Sequence, residues 1–248
     1  MAAYLITGAN RGIGLAIIEQ LYKDEKNLII ATVRNQSTAE NLEKQYPRVK
    51  TIVINMADSY AKFESAFKLI DQFTPHGIDC LIANAGVLGE DALFESQLYD
   101  VDQYLDVMNI NVGGVAKTYK AGFPYLFKTD NGVSKKFIIM SSVAGTTGGF
   151  VLGANAYGAS KAAVNHLGKQ IAEDNKSSGN ELVKNSITIL QHPGHVLSEM
   201  GADVAAIVGD EKFVSTEECA IKLVKLLNVF TVAHTGGFFD ENGETMIF

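Results

Sequence analysis

Short apolar runs alternate with longer segments of helical period along the whole chain, and this alternation most constrains the fold. Most runs are apolar throughout, which is typical of strands buried on both faces of a parallel sheet. The seven predicted strands are Ala3–Thr7, Leu28–Val33, Lys50–Ile54, Asp79–Ala83, Lys136–Ser141, Ser186–Gln191 and Gly237–Phe239. The predicted helices are Ile13–Lys23, Ser59–Phe73, Tyr99–Phe127, Ala156–Asn175 and Thr216–Leu227.

This order of elements predicts an α/β fold with right-handed crossovers between its strands. We therefore expect a doubly wound, Rossmann-type sheet of seven parallel strands with helices on both faces. No linker rich in Pro, Gly or Ser interrupts the pattern, so we interpret residues 1–248 as a single domain. Ligands bind such sheets at the carboxyl ends of the strands, which makes the residues after each strand the candidates for function.

Composition narrows the class of protein. The formal net charge of −7 argues against a nucleic-acid binder, which needs positive charge, and weakly against a peripheral membrane protein. The two cysteines, Cys80 and Cys219, lie far apart, and none of the five histidines has a metal-binding spacing, so no metal site is predicted. No apolar run reaches the roughly 18 residues of a membrane span, and no signal peptide fits before Ala3. We expect a soluble, cytoplasmic protein.

A glycine cluster, Gly8-Ala9-Asn10-Arg11-Gly12-Ile13-Gly14, follows the first strand and opens a helix. Glycines there permit a tight turn and let a phosphate approach the backbone, while the helix N-terminus supplies free N–H groups. The spacing is Gly-x-x-x-Gly-x-Gly rather than the usual Gly-x-Gly-x-x-Gly. The position between strand and helix indicates a dinucleotide site, the alternative being a tight turn without a ligand.

The end of the second strand indicates which dinucleotide is bound. An NAD-binding chain usually carries Asp or Glu there for the ribose hydroxyls, but no acid occurs from Asn27 to Ala39. Arg34 stands at that strand end, and Arg11 lies in the glycine turn. Because a guanidinium can bind a phosphate bidentately, both arginines are candidates for the 2′-phosphate of NADPH, although either could be an ordinary surface cation.

A catalytic constellation follows other strands. Tyr157 and Lys161 are four residues apart and share a helix face. A nearby lysine cation lowers the pKa of a phenol, so the pair suits proton transfer to a carbonyl oxygen. Ser142 follows the fifth predicted strand, where a hydroxyl could hold the substrate oxygen. Asn84-Ala85-Gly86 follows the fourth strand, and Pro193-Gly194 follows the sixth.

These motifs together resemble the short-chain dehydrogenase/reductase superfamily over nearly the whole chain. Within it, the chain is most similar to the sniffer-type and C-factor-like carbonyl reductases and the fungal ketoreductases. The motifs carrying the resemblance are Thr7-Gly8-x-x-x-Gly12-x-Gly14, Asn84-Ala85-Gly86, Asn111, Ser142, Tyr157-x-x-x-Lys161 and Pro193-Gly194.

The resemblance implies roles for the catalytic residues. Tyr157 would be the general acid, Ser142 would position the carbonyl, and Lys161 would also bind the nicotinamide ribose. Asn111 would hold a water in a proton relay through Lys161. Asn84 would brace the central strands beside the adenosine ribose.

The cofactor is expected to be NADPH/NADP, with NADH less favoured. The segment after Pro193-Gly194 would contact the carboxamide. The residues expected to bind the cofactor are Gly8, Asn10, Arg11, Gly12, Ile13, Gly14, Arg34, Asn55, Met56, Asn84, Ala85, Gly86, Tyr157, Lys161, Pro193, Gly194, Val196 and Ser198.

The chain departs from the family pattern at several positions. Asn55 stands where relatives carry an Asp that reads the adenine amino group, so weakened or reoriented adenine contacts are expected. The next acid, Asp58, is expected to cap the following helix. His195 stands at a position that is often bulky and aromatic in the carbonyl-reductase group, and a pocket role is one interpretation of it. The Ser198–Val214 segment is interpreted as a mobile lid. Possible pocket walls are Leu88, Phe94, Phe150, Val151, Leu152 and Met200.

The predicted activity is reduction of a ketone or aldehyde with NADPH. Three alternatives stay open: reduction of an enone or imine, a dedicated biosynthetic ketoreductase, and an alcohol dehydrogenase working in the oxidative direction. A non-catalytic NADPH-sensing module is the alternative from another class, although such a sensor has no need of Ser142, Tyr157 and Lys161. The expected partners are a small-molecule carbonyl substrate and further copies of the chain, since relatives form homodimers or homotetramers through the two long helices.

Overall fold

Seven strands form one sheet in the computed structural model, which describes residues 2–89, 100–148, 155–210 and 212–248. Their order across the sheet is β3-β2-β1-β4-β5-β6-β7, and every neighbouring pair is parallel. The strands are β1 (Ala3–Ile6), β2 (Leu28–Val33), β3 (Val49–Val53), β4 (Cys80–Ala83), β5 (Lys136–Met140), β6 (Ile187–Gln191) and β7 (Phe238–Phe239). The predicted seven-stranded parallel Rossmann-type sheet is confirmed.

Helices connect the strands and cover both faces of the sheet. The α-helices are α1 (Gly12–Tyr22), α2 (Gln36–Gln45), α3 (Tyr60–Phe67), α4 (Ile70–Phe73), α5 (Val101–Met108), α6 (Gly114–Leu126), α7 (Asn155–Lys176), α8 (Glu181–Lys184), α9 (Glu199–Val208) and α10 (Thr216–Val229). A π-helical segment, Asn109–Gly113, joins α5 to α6, and 3₁₀ turns span Val143–Gly145 and Val232–His234.

The apolar core divides into two layers, one on each face of the sheet. Ile6 of β1 belongs to the layer that packs under α1 and α10, whereas its neighbour Leu5 belongs to the layer under α3, α6 and α7. Successive strand side chains point to opposite faces, so a strand buried on both sides must be apolar at every position. This is why the strands read as continuous apolar runs in the sequence.

Several predicted helices differ from those observed. The single helix predicted over Ser59–Phe73 is two helices, α3 and α4, because the backbone tightens between them: Leu69 N bonds Ala66 O and Gln72 N bonds Leu69 O, each over three residues. The helix predicted over Tyr99–Phe127 contains the π segment, and Tyr99 lies outside the described residues. Sequence analysis missed α2, whose buried side chains are few: Ala39 and Leu42.

A buried ion pair ties together the amino ends of three central strands. Lys135 Nζ donates to Asp79 Oδ1 at 2.7 Å, and the side chains are 0% and 7% exposed. Asp79 Oδ2 accepts from the backbone N–H of Ala3 at 2.9 Å, and Asn131 Nδ2 donates to Asp79 Oδ1 at 2.9 Å. Asp79 precedes β4, Lys135 precedes β5 and Ala3 begins β1, so the pair lies at the edge opposite the carboxyl ends.

None of the helices in the described part of the chain has both the length and the apolar character required to cross a membrane. Over the same residues, no group of three or more His, Cys, Asp or Glu side chains is placed to hold a metal ion.

Candidate active site

A cleft of about 330 Å³ lies at the carboxyl ends of the strands, within the size range of small-molecule sites. Parallel strands bring the turns after β1, β2, β3, β4, β5 and β6 to one edge, and residues from all of these turns line the cleft. Fifteen of the residues predicted to bind a cofactor are among them: Gly8, Asn10, Arg11, Gly12, Ile13, Arg34, Asn55, Met56, Asn84, Ala85, Gly86, Tyr157, Lys161, Pro193 and Ser198.

Two glycines in the turn after β1 have a backbone conformation that other residues rarely adopt. Gly8 and Gly12 have φ of +62° and +55°, a left-handed backbone that disfavours other residues. Gly14 does not line the cleft. A Cβ there would lie 2.6 Å from Asn84 Nδ2 and 2.7 Å from Gly8 O, so Gly14 lets α1 pack against the turn.

Asn84, after β4, braces this turn. Its Nδ2 donates to Thr7 O at 2.9 Å and to Gly8 O at 3.3 Å. Thr7 Oγ1 in turn accepts from the backbone N–H groups of Asn84 and Ala85, each at 3.0 Å. The bracing expected of Asn84 is confirmed, and it fixes the turns after β1 and β4 relative to each other.

The end of β2 places a cation beside the glycine turn. Arg34 is exposed, lines the cleft and has no ion pair within the described ranges. The turns after β1 and β2 adjoin, since Ala9 N bonds Thr32 O and Gly8 N donates to Thr32 Oγ1 at 3.2 Å. Asn35 then caps α2 by accepting from Thr38 N at 2.9 Å. Sequence analysis missed Thr32, although its position at this strand end was a usable signal.

The turn after β3 is held by hydrogen bonds within itself. Asn55 Oδ1 accepts from Ala57 N at 3.0 Å, and Asp58 Oδ2 accepts from Asn55 N at 3.0 Å. The expectation that Asp58 caps the next helix is wrong: Ser59 occupies the N-cap of α3 without a side-chain cap bond, and the Asp58 carboxylate folds back onto Asn55. Hydrogen bonds from Lys62 and the backbone N–H of Asn55 lower the pKa of Asp58.

Lys117 is a support for this turn that sequence analysis missed. Its Nζ donates to Met56 O at 2.6 Å and to Asp58 O at 2.9 Å from α6, on the far side of the cleft wall. Burial lowers the pKa of Lys117. In a sequence, a lysine within an amphipathic helix looks like an ordinary surface cation. Nothing in the sequence therefore indicated that Lys117 supports the turn after β3.

Tyr157 lines the cleft, and Ser142 lies beside it although Ser142 is not among the cleft-lining residues. Ser142 follows β5, and its hydroxyl hydrogen-bonds the phenol oxygen of Tyr157 near the start of α7. Burial raises the pKa of Tyr157, and the Ser142 hydrogen bond offsets this only in part. The phenol is therefore protonated at neutral pH, which is the form that can donate a proton.

Lys161 lies one helical turn beyond Tyr157 and is buried. Its Nζ donates to Met140 O at 2.7 Å and lies 5.5 Å from the centre of the Tyr157 ring. Burial lowers the pKa of Lys161 to about 8. The sequence predicted that Lys161 would lower the pKa of Tyr157. The structure differs, because the ammonium points to the strand carbonyl and burial dominates at the phenol.

Asn111 lies in the π-helical segment beside Lys161. Its Oδ1 accepts from Val87 N at 2.8 Å, and its Nδ2 donates to Val87 O and Ser160 Oγ, both at 2.9 Å. A Cβ on Gly86 would lie 3.2 Å from Asn111 Oδ1 and 3.7 Å from Lys161 Nζ, so these residues surround one point. The water-holding role of Asn111 stays a prediction.

The segment after β6 contributes Pro193 and Ser198 to the cleft, but not Gly194 or Val196. Gly194 has φ of +82° and packs against Glu241, while Val196 is buried and bridges to Val214. His195 does not line the cleft; its ring stacks edge-on against His192 and Phe213. Much of the predicted Ser198–Val214 lid is helix α9, with Ser198 Oγ accepting from Gly201 N as its cap.

Met200 lines the cleft, whereas Leu88 does not. Phe94, Phe150, Val151 and Leu152, the other predicted pocket walls, lie outside the described residues. The structure adds hydrophobic cleft residues that sequence analysis did not name, including Ile54, Ile110 and Met140. Because these residues belong to apolar strand and helix segments, the sequence predicts only that they are in the core. The folded structure is needed to show that they line the cleft.

The residues present fit a dinucleotide. No side chain among the described residues caps the first turn of α1, so its N–H groups are left for a bound anion at the helix N-terminus. The left-handed Gly12 keeps the backbone accessible there, and Arg34 adds positive charge at the neighbouring strand end.

Comparison with known proteins identifies the family. The family model for short chain dehydrogenase matches residues 2–207. The chain belongs to the short-chain dehydrogenases. It is 32% identical to the short chain dehydrogenase gsfK of Penicillium aethiopicum, over 99% of this chain and 98% of that protein.

Solved structures agree with this membership. The NADPH-bound carbonyl reductase from chicken fatty liver is 25% identical, with a TM-score of 0.87 over 100% of this chain and 99% of that chain. The carbonyl reductase Sniffer of D. melanogaster is 22% identical, with a TM-score of 0.86 over 100% of both chains, and shares the fold. The predicted family resemblance is confirmed, and the chain is an oxidoreductase of this family.

Proposed function

We propose that this short-chain dehydrogenase reduces a ketone or aldehyde to an alcohol, using NADPH. The observation that carries the proposal is that Tyr157 and Lys161 line the same cleft as the glycine turn, with the Ser142 hydroxyl hydrogen-bonded to Tyr157. A carbonyl reduction needs a proton donor beside a site for a hydride donor, and this arrangement supplies both.

Tyr157 would donate the proton. Its raised pKa keeps the phenol neutral, and the adjacent Ser142 hydroxyl would hydrogen-bond the carbonyl oxygen and hold it within reach of that phenol. Lys161, with a pKa of about 8, is mostly protonated at neutral pH and would bind the nicotinamide ribose and take part in the relay that returns a proton to Tyr157. A bound nicotinamide would supply the hydride for the carbonyl carbon.

The residues at the end of β2 support NADPH over NADH. Arg34 lines the cleft without a carboxylate partner in the described ranges, and no acid lies between Asn27 and Ala39 to repel a 2′-phosphate. The chicken liver carbonyl reductase, similar over the whole chain, is described with NADPH bound.

A reducing, cytoplasmic location forms part of the proposal. Cys80 and Cys219 are both buried free thiols, as suits such a compartment. A tagged copy should distribute with cytosolic markers on cell fractionation, and distribution with organelle markers would contradict this part of the proposal.

Loss of absorbance at 340 nm is the direct test. Purified protein should oxidise NADPH, and NADH much more slowly, in the presence of at least one member of a panel of aldehydes, α-diketones, quinones and β-keto esters. Equal rates with NADH would contradict the cofactor assignment. Tight NADPH binding with no turnover of any panel member would favour a narrow biosynthetic substrate or a sensor.

A further inference from the structure

The two arginines of the cleft are in different electrostatic situations. Arg11, in the glycine turn, forms an ion pair with Glu199, the first residue of α9. Arg34 has no carboxylate partner within the described ranges. Sequence analysis offered both arginines as candidates for the 2′-phosphate, and the ion pair distinguishes them.

The ion pair spans the cleft between its two walls. Arg11 comes from the turn after β1 and Glu199 from the segment after β6, and both line the cleft. The walls approach closely here, since a Cβ on Gly12 would lie 3.7 Å from the Cβ of Ser198. The side chains are 55% and 72% exposed, so the pair borders solvent, where an entering cofactor would meet it.

We propose that Glu199 is a cofactor-specificity residue that weakens NADPH binding by competing with the 2′-phosphate for Arg11. This inference rests on the proposed use of NADPH. A phosphate monoester carries a charge of about −1.5 to −2 at neutral pH. A carboxylate already paired with Arg11 cancels much of the attraction and repels the phosphate directly.

Competition of Glu199 for Arg11 and mechanical support of α9 by the ion pair predict different changes in cofactor binding. NADH has a hydroxyl in place of the phosphate, so a competing carboxylate affects NADPH and leaves NADH alone. If the ion pair instead serves to hold α9 against the glycine turn, its loss should weaken both cofactors together. The two roles are therefore separated by measuring both cofactors in the same variant.

The test is E199Q, which keeps the size of the side chain and its ability to accept a hydrogen bond from Arg11 but removes the charge. D210N is the matched control, because Asp210 lies just beyond the end of α9, is exposed and has no described contact with Arg11. Binding of NADPH and of NADH is titrated by nucleotide fluorescence, independently of turnover.

The expected result is an NADPH Kd about three- to fivefold lower in E199Q, the range of an exposed ion pair, with NADH and D210N unchanged. The gain should shrink at about 0.5 M salt, because exposed charges are screened there. An unchanged or higher NADPH Kd, or an equal shift for both cofactors, would overturn the proposal.

Failure of this inference can be told apart from failure of the proposed function. Wild-type protein and R34Q test the cofactor assignment: NADPH should bind more tightly than NADH, and R34Q should reduce that difference. If those results hold and E199Q binds NADPH no more tightly, the inference alone is wrong. If wild type does not prefer NADPH and E199Q changes neither cofactor, both are wrong.

Discussion

Tyr157 is the side chain on which the proposed reaction depends most directly. In Tyr157→Phe the ring remains but the proton donor and its hydrogen bond to Ser142 are lost. We expect kcat to fall by about 10²–10⁴-fold, the usual contribution of a general acid, while the NADPH Kd stays within about twofold. Steady-state kinetics measure kcat, and a fluorescence titration measures the NADPH Kd. Turnover near the wild-type level would exclude Tyr157 as the acid.

Lys161 should govern the pH dependence of reduction. Burial lowers its pKa to about 8, so the ammonium loses its proton as the pH rises through that value, whereas the pKa of Tyr157 is raised and the phenol stays protonated. We therefore expect kcat/KM to be constant below about pH 7.5 and to decline above pH 8. A profile that is flat to pH 9.5 would contradict this role.

At the scale of single residues, sequence reasoning succeeded where position after a strand decided the outcome. Arg34, Asn84 and Pro193 all follow strands, and all line the cleft. Gly14 was grouped with the cleft-lining glycines but does not line the cleft, because a glycine that serves helix packing looks the same in sequence as one that admits a phosphate. Lys117 and Thr32 act through contacts that only the folded chain creates.

Among the elements, the short turn Val143–Gly145 positions Ser142 against α7. A Cβ on Gly145 would lie 2.6 Å from the carbonyl carbon of Lys161 and 2.8 Å from Ala162 N, both backbone atoms that cannot turn aside. In Gly145→Ala the turn must therefore move away from α7, taking Ser142 from Tyr157. We expect kcat to fall at least tenfold and the Tm to drop by several degrees, since overpacking costs about 1–3 kcal/mol.

Gly148→Ala is the matched control for that change. A Cβ on Gly148 would meet no atom of the described residues within 4 Å, so the same substitution three residues later should leave kcat and Tm close to wild type. Assays and thermal unfolding of the two variants side by side make the comparison. Equal losses of kcat and Tm in both variants, or no loss in Gly145→Ala, would show that the contact of Gly145 with α7 does not position Ser142.

Element boundaries were predictable only where burial set them. Most of the strands are buried on both faces, and the apolar runs located the strand ends to within one residue. The π-helical segment Asn109–Gly113 was not predicted, because wider i→i+5 bonding inside a helix has no residue-type signature in the sequence. Helix α2 buries only Ala39 and Leu42, so it has few apolar residues to mark it as a helix that packs on the sheet, although Asn35 offered a cap.

At the scale of the whole molecule, the candidate active site and the buried ion pair lie at opposite ends of the strands. The cleft occupies the carboxyl edge, and the Asp79–Lys135 ion pair lies at the amino edge. Asp79→Ala would leave a fully buried ammonium without its carboxylate, which costs about 3–5 kcal/mol. We expect a Tm roughly 10 °C lower by thermal unfolding, with the kcat of the folded fraction unchanged.

The double variant Asp79→Leu/Lys135→Met distinguishes loss of the pair from damage to the fold. Apolar side chains of similar size avoid the unpaired charge, so this variant should be more stable than Asp79→Ala. If both variants lost the same stability, the hydrogen bonds of Asp79 to Ala3 and Asn131 would be the main contribution instead.

Self-association is the remaining prediction at this scale. The resemblance to the family implies a homodimer or homotetramer through the helices that flank the π segment and through α7. Size-exclusion chromatography with light scattering should give two or four times the chain mass of 26.7 kDa. A monomer at micromolar concentration would contradict it.

The parallel sheet also has a consequence for how the chain is made. β1 pairs with β2 on one side and β4 on the other, and Ala3 lies 76 positions before its partner Asp79. At roughly 5–20 residues per second, a ribosome would produce β4 several seconds after β1. Throughout that interval, the side of β1 that pairs with β4 has no hydrogen-bonding partner strand. The nascent chain is therefore most exposed to mispairing before the central strand has its second neighbour, and a slower ribosome would lengthen that interval.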